Sequence, residues 1–188
     1  DELIEKFSLD RVHKAGAVFD PEKVKWFQHE YFKTIPTDEL VEPYINKVRE
    51  KGFEVDKTTA KSIIEEVRER ADQVNDLWEQ SHFYFIAPEE YDAKAVKKVW
   101  KGDIEERIEK IQELVNEQKD FSRESLKENI KAWIEQSGYG FGKIMQPFRL
   151  ALVGKLTGPG VFHIAATIGK EETLQRIKLM KEKLQVSH

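Results

Sequence analysis

"GYGFGKIMQPFRLALVGKLTGPGVFHIAATIGK", residues 138–170, is the stretch that decides the fold. Phe141 to Val153 show no period-2 alternation and read as a helix. "GKLTGPG" at 154–160 gathers three glycines and a proline, the punctuation of a tight turn. A helix is expected over 160–168, stopped by Gly169, and another over 171–184. The stretch has no Asp or Glu, although 35 of the chain's 188 residues are acidic. It carries Lys143, Arg149, Lys155 and Lys170.

Outward from this segment, helical signals recur and strand signals do not. Asp20 precedes Pro21 at a helix start, and Trp26, Phe27, Tyr31 and Ile35 follow at helical spacing. Thr37 is the expected cap of a helix closed by Gly52, with Pro43 in its early turns or at a kink. Asp56 caps a third helix whose Ala60, Ile63, Ile64 and Val67 share one face, and Val74, Leu77 and Trp78 mark a further segment. "HFYFIAPEEYD" reads as an aromatic connector. Helices resume at 92–100 and 103–118, the latter with an Ile104, Ile108, Ile111, Val115 stripe suited to core packing. Ser122 caps a helix that ends at Gly138. The expected fold is all-α, with a seam near 119–122.

Composition narrows the functional classes. At 39% hydrophobic and 35% charged residues the chain is globular. No apolar run approaches the roughly 20 residues of a membrane span. Zero cysteines exclude disulfides and thiolate metal sites. "DELIEKFSLDRV" is not a secretory leader, and without an initiator Met or a clear cap the start is expected to be a cut from a longer chain. The net charge of −4 hides an asymmetry. Residues 1–120 hold 20 Lys/Arg and 29 Asp/Glu, whereas residues 121–188 hold 11 and 6. Such a split suits an end that faces a polyanion, and equally an uneven solvated surface.

Catalytic patterns are missing. His13, His29, His82, His163 and His188 form no ligand-like pair. "GYGFG" follows no strand, which removes a dinucleotide loop. Glu65/Glu66, Glu89/Glu90 and Glu105/Glu106 are adjacent on helices and do not face one another. The chemistry left is recognition. Lys143, Arg149 and Lys155 interleave with Tyr139, Phe141 and Phe148, as in proteins that neutralise phosphates and stack on unpaired bases. Gly158 and Gly160 let a backbone approach a ligand. The same residues also fit core phenylalanines and plain turn glycines.

"MQPFRLALVGKLTGPGVFHIAATIGKEETLQRI", residues 145–177, resembles the C-terminal segment of bacterial-type glutamyl-tRNA synthetases. In that family a Q-P-x-R-x-A-L-x-G run precedes a Pro-Gly-(apolar)-Phe turn and a Leu/Ile-Gly-Lys-Glu helix. "FSLDRVHKAGAVFDPEKVKWFQHEYF" at 7–32 is similar to the segment after the family's catalytic signature loop. The resemblance implies an anticodon-binding helical cage of two small subdomains, over 37–120 and 121–188. Residues 1–36 would be the tail of a stem-contact region. It implies anticodon contacts at Arg149 and at Arg70 in "RERADQVNDLWEQ", where an Arg helps to reject glutamine tRNA. Two more contacts fall on Gly158 and Val161. Gly158 lacks a hydroxyl, which leaves base reading there to Thr157 or to backbone groups. Lys143 and Lys155 would meet phosphates. The family's His-Ile-Gly-His and Lys-Met-Ser-Lys-Ser signatures are absent, since "HIAA" at 163–166 and "KLMKEK" at 178–183 match them only in part. The chain is therefore expected to be non-catalytic and to hold no cofactor, with ATP and Mg belonging to the parent enzyme. The implied partner is tRNA, with neither DNA nor membrane, and the implied state a cytoplasmic monomer.

Overall fold

The structure, a computed structural model, describes residues 20–185. His13, His188 and residues 1–19 of the expected tail lie outside them. Ten α-helices carry the fold, with no strand among the described residues. They are α1 Pro21–Thr34, α2 Thr37–Glu50, α3 Lys57–Val67, α4 Val74–Glu79, α5 Ala93–Val99, α6 Ile104–Glu117, α7 Arg123–Ser137, α8 Phe141–Val153, α9 Val161–Ile168 and α10 Lys170–Gln185. Two 3₁₀ turns, Arg68–Arg70 and His82–Tyr84, connect them. The expected all-α architecture is the observed one.

The helix starts follow from their caps. Asp20 accepts from the Glu22 and Lys23 amides at 3.1 and 3.3 Å. Asp56 does the same for Thr58 and Thr59 at 2.9 and 3.0 Å. Such bonds satisfy amides that the first helical turn leaves orphaned. Ser122 caps α7 through the Ser125 amide, and Gly138 ends it at φ 73°.

Thr37 is a correction. Pro36 occupies the cap position and Thr37 is already helical. Its hydroxyl instead accepts from Arg68 Nη1 at 2.8 Å. Arg68 Nη2 also donates to the Lys33 and Ile35 carbonyls, both at 2.8 Å. One guanidinium thus closes the α1 C-terminus and ties it to the first residue of α2, whose start has no side-chain cap. Pro43 lies inside α2 on its exposed side, while Tyr44 and Val48 are buried. The spacing of Trp26, Phe27 and Tyr31 does not signal core: all three are exposed, and α1 buries only Phe32.

Packing places α2 against α3 and α4. Helix α6 lies on α8 and α10, and its Ile104, Ile108, Ile111 and Val115 are buried there as the stripe predicts. Helix α9 packs on α7, α8 and α10, and α5 packs on α8. Contacts therefore run across residues 119–122, because α6 on one side touches α7, α8 and α10 on the other. Two buried arginines tie this framework. Arg176, 1% exposed, donates to the Phe83 and Leu152 carbonyls at 2.6 and 2.9 Å and pairs with Glu172 at 2.6 Å. Arg107 donates to the Lys143 and Lys101 carbonyls at 2.6 and 3.1 Å and pairs with Asp103 at 2.9 Å.

Candidate nucleic-acid interface

Helix α8 stops at Gly154, whose φ of 76° favours glycine. A Cβ there would stand 2.7 Å from the Glu90 carbonyl oxygen and 2.9 Å from Pro88 Cβ, so close approach requires glycine as well. The Gly154 carbonyl accepts from the Asp92 amide at 2.8 Å, which pins the start of the turn to the aromatic connector. The chain then passes exposed Thr157, Gly158 at φ 144° and buried Pro159, and re-enters a helix after Gly160.

Two arginines hold successive carbonyls of this turn. Arg149, half-buried near the end of α8, donates from Nη1 to the Pro159 carbonyl. Arg70, exposed in the 3₁₀ turn after α3, donates from Nη2 to the Gly158 carbonyl at 3.3 Å, across 88 positions of sequence. Its Nη1 also reaches the Glu66 carbonyl at 3.4 Å. Burial holds the Arg149 guanidinium below its ordinary range, and the neighbouring Arg70 charge acts in the same direction. The two residues expected to contact the anticodon are thus brought together on one turn.

A second layer supports it. Glu66 accepts from Arg123 Nη1 at 2.7 Å, and its other oxygen faces the Gly160 amide at 3.5 Å. Behind them lies His163, 6% exposed. Its Nε2 shares a hydrogen bond with Ser62 Oγ at 2.9 Å and its Nδ1 one with Tyr84 Oη at 2.7 Å. Burial lowers the His163 pKa and, with help from the Glu66 charge, raises that of the Tyr84 phenol. A neutral ring with both nitrogens engaged is a structural histidine, and the partial "HIAA" match carries no catalytic geometry.

The remaining expected residues divide. Thr157 is exposed, and Lys155 is half-buried just past Gly154. Val161 is 4% exposed, so its side chain is closed to a partner. Phe148 and Phe162 are core, at 1% and 8% exposure, while Phe141 stands out at 49%. Stacking by Phe148 is thereby excluded. Lys143 begins the other end of α8, about 15 Å from the turn at the helical rise of about 1.5 Å per residue. It lines a separate cleft of ≈ 650 Å³ with Lys98, Lys101, Arg107 and Gly142.

Sequence reasoning missed Glu66, Arg123 and the Pro159 carbonyl. The spacing of Glu66 and Arg70, four apart, was a visible signal, but it reads as an ordinary helix-surface pair. Nothing in the sequence links either to residue 160.

Comparison with known proteins fits this geometry. A family model described as "Anticodon binding domain" matches residues 37–180. The glutamate–tRNA ligase of Christiangramia forsetii is 42% identical over 178 residues, covering 95% of this chain and 35% of that protein. That of Flavobacterium psychrophilum is 43% identical with the same coverage. A crystal structure of a glutamate tRNA ligase from Elizabethkingia meningosepticum, in complex with its amino acid, superposes with a TM-score of 0.90 at 39% identity, covering 96% of this chain and 36% of that one. The chain spans about a third of the length of these relatives. Matched by the family model over well more than half of its residues, it belongs to the anticodon-binding domain family.

Proposed function

We propose that the chain reads the anticodon loop of a tRNA as the C-terminal part of a glutamate–tRNA ligase. The parent would attach glutamate to its tRNA using ATP and Mg, held in a catalytic half that this sequence does not contain. The convergence of Arg70 and Arg149 on the Gly158–Pro159 turn carries the reading. An RNA loop offers unstacked bases whose edges and faces a duplex hides. Arginine suits them because its planar fork donates twice to one base edge and also stacks. Each guanidinium has five N–H donors, and the carbonyls of the turn occupy only a few of them. The carbonyl contacts therefore aim the forks without exhausting them. Thr157 offers a hydroxyl on the exposed crest, and Lys155 a charge for the RNA backbone.

The partner is tRNA in a monomeric complex in the cytoplasm, without DNA. The division into 37–120 and 121–188, behind a 1–36 tail, belongs to the same proposal. Limited proteolysis tests it: cleavage concentrated at 119–122 supports two units, and resistance there supports one.

Arg70→Gln in the full-length ligase is the direct test of function. The ratio of kcat/KM for glutamate and glutamine tRNAs should fall by about an order of magnitude, as loss of one arginine–base pair predicts. An unchanged ratio removes Arg70 from specificity. The 188-residue chain alone should show no glutamate-dependent pyrophosphate exchange.

A further inference from the structure

We propose that Arg123 forms a phosphate-binding subsite for the RNA backbone beside the 158–160 turn, with Glu66 as its counter-ion when RNA is absent. This subsite deepens the anticodon-binding reading and rests on it. Arg123 opens α7 directly after the Ser122 cap, which fixes its backbone. Its side chain is 47% exposed and makes a single hydrogen bond, to Glu66 Oε1 at 2.7 Å. Nη2 lies 3.8 Å from where a Cβ on Gly160 would be. Absence of that Cβ leaves the guanidinium and the turn open to the same incoming group.

The local charge points to an anion. Arg70 and Arg149 hold the turn from one side, and Arg123 reaches Gly160 from another. Glu66 is the carboxylate hydrogen-bonded into this group. Among the groups hydrogen-bonded to the turn or to one another, three guanidiniums face one carboxylate, at a turn that carries no acid of its own. The Arg123 end of this pair is half-exposed, which weakens it, while Glu66, 21% exposed, also faces the Gly160 amide, so an RNA phosphate can take the fork from Glu66. Phosphate matches the planar fork with two parallel hydrogen bonds. Glu66 stays beside the Gly160 amide and keeps the turn in place.

The test is a titration of the 188-residue chain with a labelled anticodon stem-loop of glutamate tRNA over a range of salt concentrations. Arg123→Ala should weaken binding about tenfold, and should flatten the plot of log K against log salt by about 0.7, the contribution of one single-stranded phosphate contact. Arg123→Lys should keep the wild-type slope, because it keeps the charge. Glu66→Gln should bind at least as tightly as wild type at low salt. An unchanged slope in Arg123→Ala overturns the subsite, and a loss of affinity accompanied by a lower melting temperature at unchanged slope assigns Arg123 to holding Glu66 instead. Arg149→Ala, run in parallel, separates the two levels. Weakened binding in Arg149→Ala with no slope change in Arg123→Ala removes only the subsite. No effect in either variant removes the anticodon reading as well.

Discussion

Two regions of this molecule use the same bond, a guanidinium donating to backbone carbonyls, in opposite settings. At the centre of the helical framework Arg176 is sealed, and its donors close on Phe83, Leu152 and Glu172. At the Gly158–Pro159 turn Arg70 is exposed and Arg149 half-buried, each with donors to spare. The contrast separates structure from recognition. A sealed guanidinium cannot accept a ligand without losing the fold. A rim guanidinium is aimed by the fold and remains available.

Arg176→Ala should give the largest effect, a loss of about 3 kcal/mol or more in chemical unfolding. It leaves two buried carbonyls without donors and Glu172 without its partner. Stem-loop affinity per folded molecule should hold. A stable variant with lost affinity would erase the distinction between the two regions.

Gly154→Ala attacks the hinge between them. The new Cβ meets the Glu90 carbonyl at 2.7 Å in a left-handed backbone, so a loss of about 1–3 kcal/mol is expected. Gly138→Ala shares the positive φ, but nothing lies within 4 Å of its Cβ. Its melting temperature should fall less. Equal losses would mean that backbone strain alone sets the cost and that the contact with the Pro88–Glu90 connector adds nothing.

Arg149→Ala addresses recognition. Stem-loop binding should weaken by about 1–3 kcal/mol, on the scale of one arginine–base pair. Lys57→Ala, which removes an exposed partner of Glu42 on α3, is the control and should change little. Lys98 would be a poor control, because it shares the cleft with Lys143. Equal losses in Arg149→Ala and Lys57→Ala would make the effect one of overall charge.

Much of this architecture was legible because helix ends are written locally. Asp20, Asp56, Ser122, Gly138 and Gly154 each announce a boundary within a few residues. Thr37 misled because Pro36 takes the cap position and the Thr37 hydroxyl turns to a distant group, Arg68. The exposure of Trp26, Phe27 and Tyr31 was not legible, since helical spacing reports a shared face without saying whether it is covered. The site split in the same way. Arg149 and Gly158 lie in one segment and were found together. Their tie to Arg70 spans 88 positions, and no spacing rule reaches that far. Arg176 four residues after Glu172 looks like a surface pair, yet only packing makes it the sealed one.

His163 stands between the two regions and gives the finest test. It is buried against Ser62 and Tyr84, and burial lowers its pKa from the ordinary 6.5. Glu66 and Glu65 oppose the shift and Arg123 reinforces it. Above pH of about 6.5 the ring is neutral in both folded and unfolded chains and adds no pH dependence. As pH falls below that value the unfolded chain takes up a proton that the folded one resists, so stability drops and then levels once the folded ring also charges. Carboxylates contribute their own acid sensitivity, which His163→Gln leaves in place. The difference between wild type and His163→Gln in urea midpoint, followed from about pH 7.5 to 5 across that ordinary value, isolates the ring. Wild type should lose more stability than the variant over this range. Parallel curves would mean that the ring charges freely in the folded state, and that the layer behind the turn is more open to solvent than the Ser62–His163–Tyr84 chain implies.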